Sequence, residues 1–274
     1  MGGKAIHESV GIPQDLVPTL FERVKTLLAD IGINEVRLIG SAGKKSPTEL
    51  SGDMDVLIRS WSSDESQNTN DLFEWLKCEL MLRRDEVSSV NFMKGLGVLS
   101  FGLKHDGKVY QVDIMQSKNL DLAEWMMFTD PESKYKSGVR NSIIYWTLSE
   151  RYYEPLDYDE NGKVVRWKRL IFDHNRGIVE LIQQVRGKGK ETVRRRVLDE
   201  YDTPMSVIRK TFGILPETVD NAEEAARWVR VLKEYSVMSG CHDCISSRTY
   251  YTIIDKVTED CNNKGYKIDN EIWK

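Results

Sequence analysis

The stretch Ser51-Gly-Asp-Met-Asp-Val-Leu-Ile58 constrains this chain more than any other. Residues two apart on a strand point to the same face, so Asp53 and Asp55 project together from the apolar strand that Met54 to Ile58 forms. Two carboxylates held that close repel each other, and a structural role rarely needs them. A divalent cation removes the conflict, because Mg²⁺ takes oxygen ligands and is commonly held by one or two carboxylates plus substrate phosphates. Asp113 is a third lone acid, set in the apolar pattern Tyr110-Gln-Val-Asp-Ile-Met115. If that strand pairs beside the first, three carboxylates can hold two cations about 3.5–4 Å apart, as in-line nucleotidyl displacement requires. Taken alone, an Asp-x-Asp step serves equally well to end a strand or cap a turn.

Glu35 to Ile39 reads as a further buried strand, and Gly40-Ser41 follows it. Glycine lets the backbone approach a phosphate closely, while Ser41 offers a hydroxyl and an amide. Lys44 or Lys45 can supply positive charge to the same anion. In isolation Gly40-Ser41 is a plain turn. Its place between a strand and an acidic strand, with a third strand acid beyond, is what points to phosphate chemistry.

The surrounding pattern is α+β with a mixed sheet. Leu16, Leu20, Val24, Leu27, Leu28 and Ile31 recur at helical spacing, with Pro13 and Pro18 near the start. Asp71 to Leu82 carries a second apolar helical face. Gly95 to Leu103 and Lys108 to Met115 read as strands joined through His105-Asp106-Gly107, a hairpin signal. Ser60 to Asn70 is polar and loop-like. Beyond about residue 118 the chain reads as mostly helical, with amphipathic stretches at Val139 to Tyr153 and Lys168 to Gln184. Asn161-Gly162 marks a short hairpin, and Asp220-Asn-Ala-Glu223 a capping box opening a helix to about Ser236.

Length and composition exclude several classes. A chain of 274 residues fits one large or two modest domains. With 39 Lys plus Arg against 43 Asp plus Glu, no global basic excess announces nucleic acid, so such binding needs a local patch. No apolar run reaches the ~20 residues of a membrane span. The start shows no signal peptide, and four irregularly spaced cysteines make no secreted disulfide framework, so a cytoplasmic location is expected.

Gly40-Ser41 together with Ser51-Gly-Asp-Met-Asp-Val-Leu57 resembles the nucleotidyltransferase superfamily typified by DNA polymerase beta, the acidic run almost letter for letter. The resemblance implies a palm at residues 36–118, preceded by an N-terminal helix at 1–35 and followed by a thumb-like region at 119–188 and a helical region at 189–274. It assigns two Mg²⁺ or Mn²⁺ to Asp53, Asp55 and Asp113, and triphosphate contacts to Gly40, Ser41, Lys44, Ser51 and Gly52. Phe128-Thr129, Tyr135-Lys136 and Arg140 are similar to the family's palm-to-thumb segment, which places Phe128, Thr129 and Arg140 at the incoming nucleotide. Met127, Asp130 and Gln111 depart from the family, which usually has an aromatic, a glycine and an arginine there. Only about 35 residues precede the Gly-Ser strand, too few for the lyase and helix-hairpin-helix domains of a repair polymerase.

The implied activity is transfer of a nucleoside monophosphate from a nucleoside triphosphate to a hydroxyl, with a DNA or RNA 3′ end as acceptor. A protein side chain or small molecule as acceptor, or a silent nucleotide-binding module, are the alternatives. Lys188, Lys190, Arg194, Arg195 and Arg196 form a basic segment that can track a phosphate backbone, or else a solvated helical face interleaved with Glu191, Asp199 and Glu200. Cys241-His-Asp-Cys244 lacks the second pair of ligands that a structural zinc needs. His105 and His174 read as a turn and a helix residue, and Trp125, Trp146, Trp167 and Trp228 as helical core.

Overall fold

A computed structural model describes residues 5–60, 70–128, 130–173, 175–213, 216–239 and 244–274, without the side chains of 236–239. The polar stretch 61–69, Thr129, His174 and Cys241 to Asp243 lie outside the described residues. The chain divides into two compact units, Met1–Pro131 and Glu132–Lys274.

The first unit is built on a five-stranded mixed sheet of β2 (Val36–Ile39), β4 (Met54–Arg59), β7 (Lys108–Ser117), β6 (Val98–His105) and β5 (Val87–Met93), in that spatial order. A small ribbon pairs β1 (Ile12–Pro13) with β3 (Leu50–Ser51). β4 and β7 run parallel, and every other neighbouring pair is antiparallel. Alternation along β4 divides its side chains cleanly. Met54, Val56 and Ile58 join a core with α1 (Val17–Ala29) and α2 (Asn70–Leu82). Leu57 faces the other way and packs with Ile39 and with Leu120 and Ala123 of α3 (Leu120–Met127). Asp53 and Asp55 share the face of Leu57, so the acids stand outside the main core on a strand anchored by it.

The turns form where the residues allow them. Asp106 and Gly107 take φ of 48° and 72° at the β6–β7 hairpin, the positive values that an Asp-Gly pair tolerates best. β5 follows no alternating apolar pattern, because Ser88 and Ser89 are exposed on a sheet edge, and sequence reading missed it.

The second unit departs from the expected helical layout. Lys168 to Gln184 is not an amphipathic helix but parts of β9 (Val164–Asp173) and β10 (Gly177–Arg186), flanked by β8 (Glu154–Tyr158) and β11 (Gly189–Leu198) in an antiparallel meander. The run Leu-Ile-Phe and the run Ile-Val-Glu-Leu-Ile are rich in β-branched and aromatic residues, which suit a pleated surface better than a helix. Trp167 is therefore a strand residue. The Asn161-Gly162 hairpin joins β8 to β9 as expected. The meander packs with α4 (Ser137–Arg151) and α5 (Pro204–Phe212), and α4 packs in turn with α6 (Ala222–Ser239) and α7 (Ser247–Asn263). The cap of α6 sits one residue beyond the expected box, with Asn221 Oδ1 accepting from the Glu224 amide.

Candidate metal centre

The parallel pairing of β4 with β7 sets Asp55 directly opposite Asp113. Asp53, at the entry to β4, completes the group, and one ligand oxygen from each of the three lies within 4.8 Å of the others. The strand pairing expected from sequence is thus present. Burial pushes the Asp55 carboxyl up to about 7, and repulsion from Asp53 and Asp113 adds to the shift. Such a group exchanges its proton near neutral pH, and a bound cation would favour its ionised form.

Buried polar side chains brace this centre. Gln111, on the same face of β7, donates from Nε2 to Asp113 Oδ1 at 2.9 Å. Its Oε1 accepts from the amides of Ala5 and Ile6 at 3.0 and 3.1 Å. The N-terminal segment therefore fixes Asp113 through Gln111. Ser100 lies across β6 from Asp113, and its wholly buried hydroxyl has no hydrogen-bond partner among the described residues. Three clustered oxygens, one carboxyl pushed towards neutrality and an unsatisfied hydroxyl beside them suit a hydrated divalent cation.

Gly40 follows β2, on the opposite flank of Asp55 from Asp113. Its φ is +71°, and a Cβ there would fall 2.2 Å from Asp55 Oδ2. Glycine is required twice over, for conformation and for space. Gly40→Ala should push the Asp55 carboxylate out of register. Divalent-cation affinity, measured by calorimetry on the folded variant, should fall at least about tenfold, by analogy with other displaced metal-site supports; an unchanged affinity would remove Gly40 from the centre.

The turn after Gly40 is held from α1's approach segment. Gln14 Oε1 accepts from the Gly43 amide at 2.9 Å, and its Nε2 donates to Ser51 Oγ at 3.0 Å and to the Glu49 carbonyl at 3.2 Å. One buried glutamine so joins both ends of the 43–51 loop. Ser51, expected at the triphosphate, is only 1% exposed and turned to Gln14, so it holds the loop instead. Lys45 donates to the Leu50 carbonyl at 3.1 Å. Lys44 lies on the turn after Gly40: it is half-buried, with Nζ 4.5 Å from the centroid of the Phe128 ring, and burial pulls its pKa down while Glu124 opposes the shift. Ser41 is half-buried and Gly52 exposed next to the triad.

Other expected residues lie elsewhere. Arg140 is wholly buried in α4, donating to the Asp220 carbonyl at 2.8 Å, and burial pulls its pKa down to about 10. A guanidinium with no surface cannot meet a nucleotide, so its work is structural. Arg194, Arg195 and Arg196 are exposed on β11, an edge strand rather than a helix. Alternation turns Arg195 to Asp173, with which it pairs, and the other two to the opposite face. The three cannot line one phosphate track together.

No protein-family model and no curated protein matches this chain. No described helix is long and apolar enough to cross a membrane. Gln14 was the residue that sequence reading overlooked: a single polar side chain just before a helix carries no pattern.

Proposed function

We propose that this protein is a metal-dependent nucleotidyltransferase of the polymerase beta-like kind, moving a nucleoside monophosphate from a nucleoside triphosphate to a nucleic-acid 3′ hydroxyl. The observation that carries the reading is the Asp53–Asp55–Asp113 cluster on paired parallel strands, with the Gly40–Ser41 turn against Asp55.

The strand order supports a division of labour. The Gly40–Lys44 turn lies on the β2 flank of Asp55 and Asp113 lies on the β7 flank. The triphosphate belongs to the first flank, where Ser41 and Lys44 offer donors and Phe128 an apolar wall. The acceptor hydroxyl belongs to the second. Asp113 Oδ1 accepts from Gln111, which steadies the carboxylate that would hold the hydroxyl and receive its proton. The hydroxyl oxygen bonds to the α-phosphorus as the bond to the bridging oxygen breaks, and pyrophosphate leaves with that electron pair. Asp53, Asp55 and Asp113 would hold Mg²⁺ or Mn²⁺, which supplies charge neutralisation for the transferring phosphoryl group. Positioning and electrostatics then account for the rate, with no covalent enzyme intermediate.

The reading is tested by incubating the protein with labelled primers, each nucleoside triphosphate, and Mg²⁺ or Mn²⁺. Primer extension should appear, cease in excess chelator and return with added cation. Extension that persists in chelator, or none with any primer and nucleotide, would overturn it.

A further inference from the structure

The meander of the second unit is a four-stranded sheet in which both odd turns, β8–β9 and β10–β11, fall at the same end. A cavity of about 620 Å³ opens there against the end of α4 and α7, lined by Lys163, Arg169, Lys188, Lys190, Lys256 and a single carboxylate, Glu150. Glu150 is already paired with Lys256 at 2.6 Å. Among the described residues, Lys163, Lys188 and Lys190 make no ion pair, and the buried Nε of Arg169 has no hydrogen-bond partner. Four cations without a counter-charge thus face one cavity.

Lys163, Lys188 and Lys190 are exposed to water, and an anion entering the cavity meets several cations at once. The site is also rigid. Gly187 and Lys188 form a two-residue turn between Arg186 and Gly189, with Gly187 at φ +58°, so Lys188 and Lys190 are carried on a tight hairpin rather than on a loose loop. Aromatic side chains complete the walls. Trp167 lies beneath Lys190, whose Nζ is 5.7 Å from the indole ring, and Tyr153 is 41% exposed at the rim. The volume lies within the range of small-molecule sites.

We infer that this cavity binds a nucleotide through its phosphate and base, the lysines taking the phosphate and Tyr153 the ring. Phosphate is the anion that repays several cations at once, and stacking on an aromatic is the sequence-tolerant way to hold a base. Free nucleotides and single-stranded nucleic acid share this chemistry. The inference concerns the second unit alone and holds whether or not the first transfers nucleotides.

The test uses the full chain in chelator, where divalent-dependent binding at the acids is removed. A fluorescent single-stranded oligonucleotide is titrated with protein and followed by anisotropy, and ATP is then added as competitor. Lys188→Ala/Lys190→Ala, at an exposed turn position and an exposed position at the start of edge strand β11, should weaken binding roughly 20-fold at 0.1 M salt, since each lost contact removes about 0.7 from the log–log salt slope on a single strand. Tyr153→Ala should weaken it without changing that slope. Displacement by ATP at micromolar concentration identifies a mononucleotide site, whereas displacement only by unlabelled strand identifies a polynucleotide site. Both support the inference. A control pair, Lys25→Ala/Lys94→Ala, lies in the other unit. If the hairpin variant binds both ligands like wild type, or the control weakens binding as much, the cavity is not a nucleotide site.

Discussion

Asp113→Asn is expected to bind Mg²⁺-nucleotide with near-normal affinity and yet lose roughly 10²- to 10⁴-fold in single-turnover rate, the usual worth of a positioned proton acceptor. The asymmetry follows from the strand order. Asp113 stands on β7, across Asp55 from the Gly40–Ser41 turn, so under the proposed function it serves the acceptor rather than the triphosphate. A loss confined to rate is the signature of an interaction made in the transition state and not in the ground state. Asp55→Asn should behave differently. Asp55 stands between the two flanks, with Gly40 on one side and Asp113 on the other, so its loss should weaken nucleotide binding as well as rate. Nucleotide titration and timed single turnovers of the two variants separate the cases. If Asp113→Asn loses nucleotide affinity as badly as Asp55→Asn, or keeps normal turnover, the assignment of flanks is wrong. The amide also keeps the link to Gln111 available through its carbonyl oxygen, so gross displacement of the residue would not be expected to cause the loss.

The first unit was legible because its signals were local and mutually consistent. Met54, Val56 and Ile58 alternate onto the main core while Asp55 shares the other face with Leu57, and one strand therefore declares both core and site. Asp106-Gly107 could hardly form anything but a tight turn between strands. What stayed hidden was long-range. Gln14 bridges residues about thirty positions away, and Gln111 bridges to residues about a hundred positions away; neither link leaves a spacing to read. Arg140 misled for the same reason: nothing near it in sequence announces that the Asp220 carbonyl will bury it. In the second unit, Lys168 to Gln184 shows enough apolar residues for either period, and only cross-strand pairing such as Ile171 with Val179 decides for the sheet. That error also moved the basic residues. On a helix Arg194, Arg195 and Arg196 would fan over one surface, while on β11 they alternate, and the cationic focus shifts to the hairpin at Lys188 and Lys190.

Asp55→Asn should stabilise the cation-free protein at pH 8 while abolishing the centre, and the pH dependence gives the sign. The Asp55 carboxyl ordinarily ionises near 3.8, and in the folded protein it is pushed up to about 7 by burial and by Asp53 and Asp113. Below about pH 4 the group is protonated in both states and costs nothing. Between these values the unfolded chain ionises and the folded chain resists, so stability falls as pH rises; above about 7 the penalty is complete. A shift of that size corresponds to roughly 4 kcal/mol. Asparagine never ionises, so the variant's gain in melting temperature over wild type should be small at pH 4, grow to pH 7 and then level off. Mg²⁺ offers a second route to the same relief. In wild type at pH 8 the cation should raise the melting temperature by neutralising the three carboxylates, and the gain should shrink at pH 5, where a proton competes for Asp55. In Asp55→Asn, where the repulsion has been partly removed and a ligand lost, Mg²⁺ should have little effect at either pH. Thermal melts of both proteins at pH 4, 5, 7 and 8, with chelator or with Mg²⁺, measure every one of these differences without any assay of activity. A wild type whose stability is flat from pH 4 to 8, or equal Mg²⁺ stabilisation of both proteins, would mean that Asp55 carries no such strain and that the three acids do not share a cation.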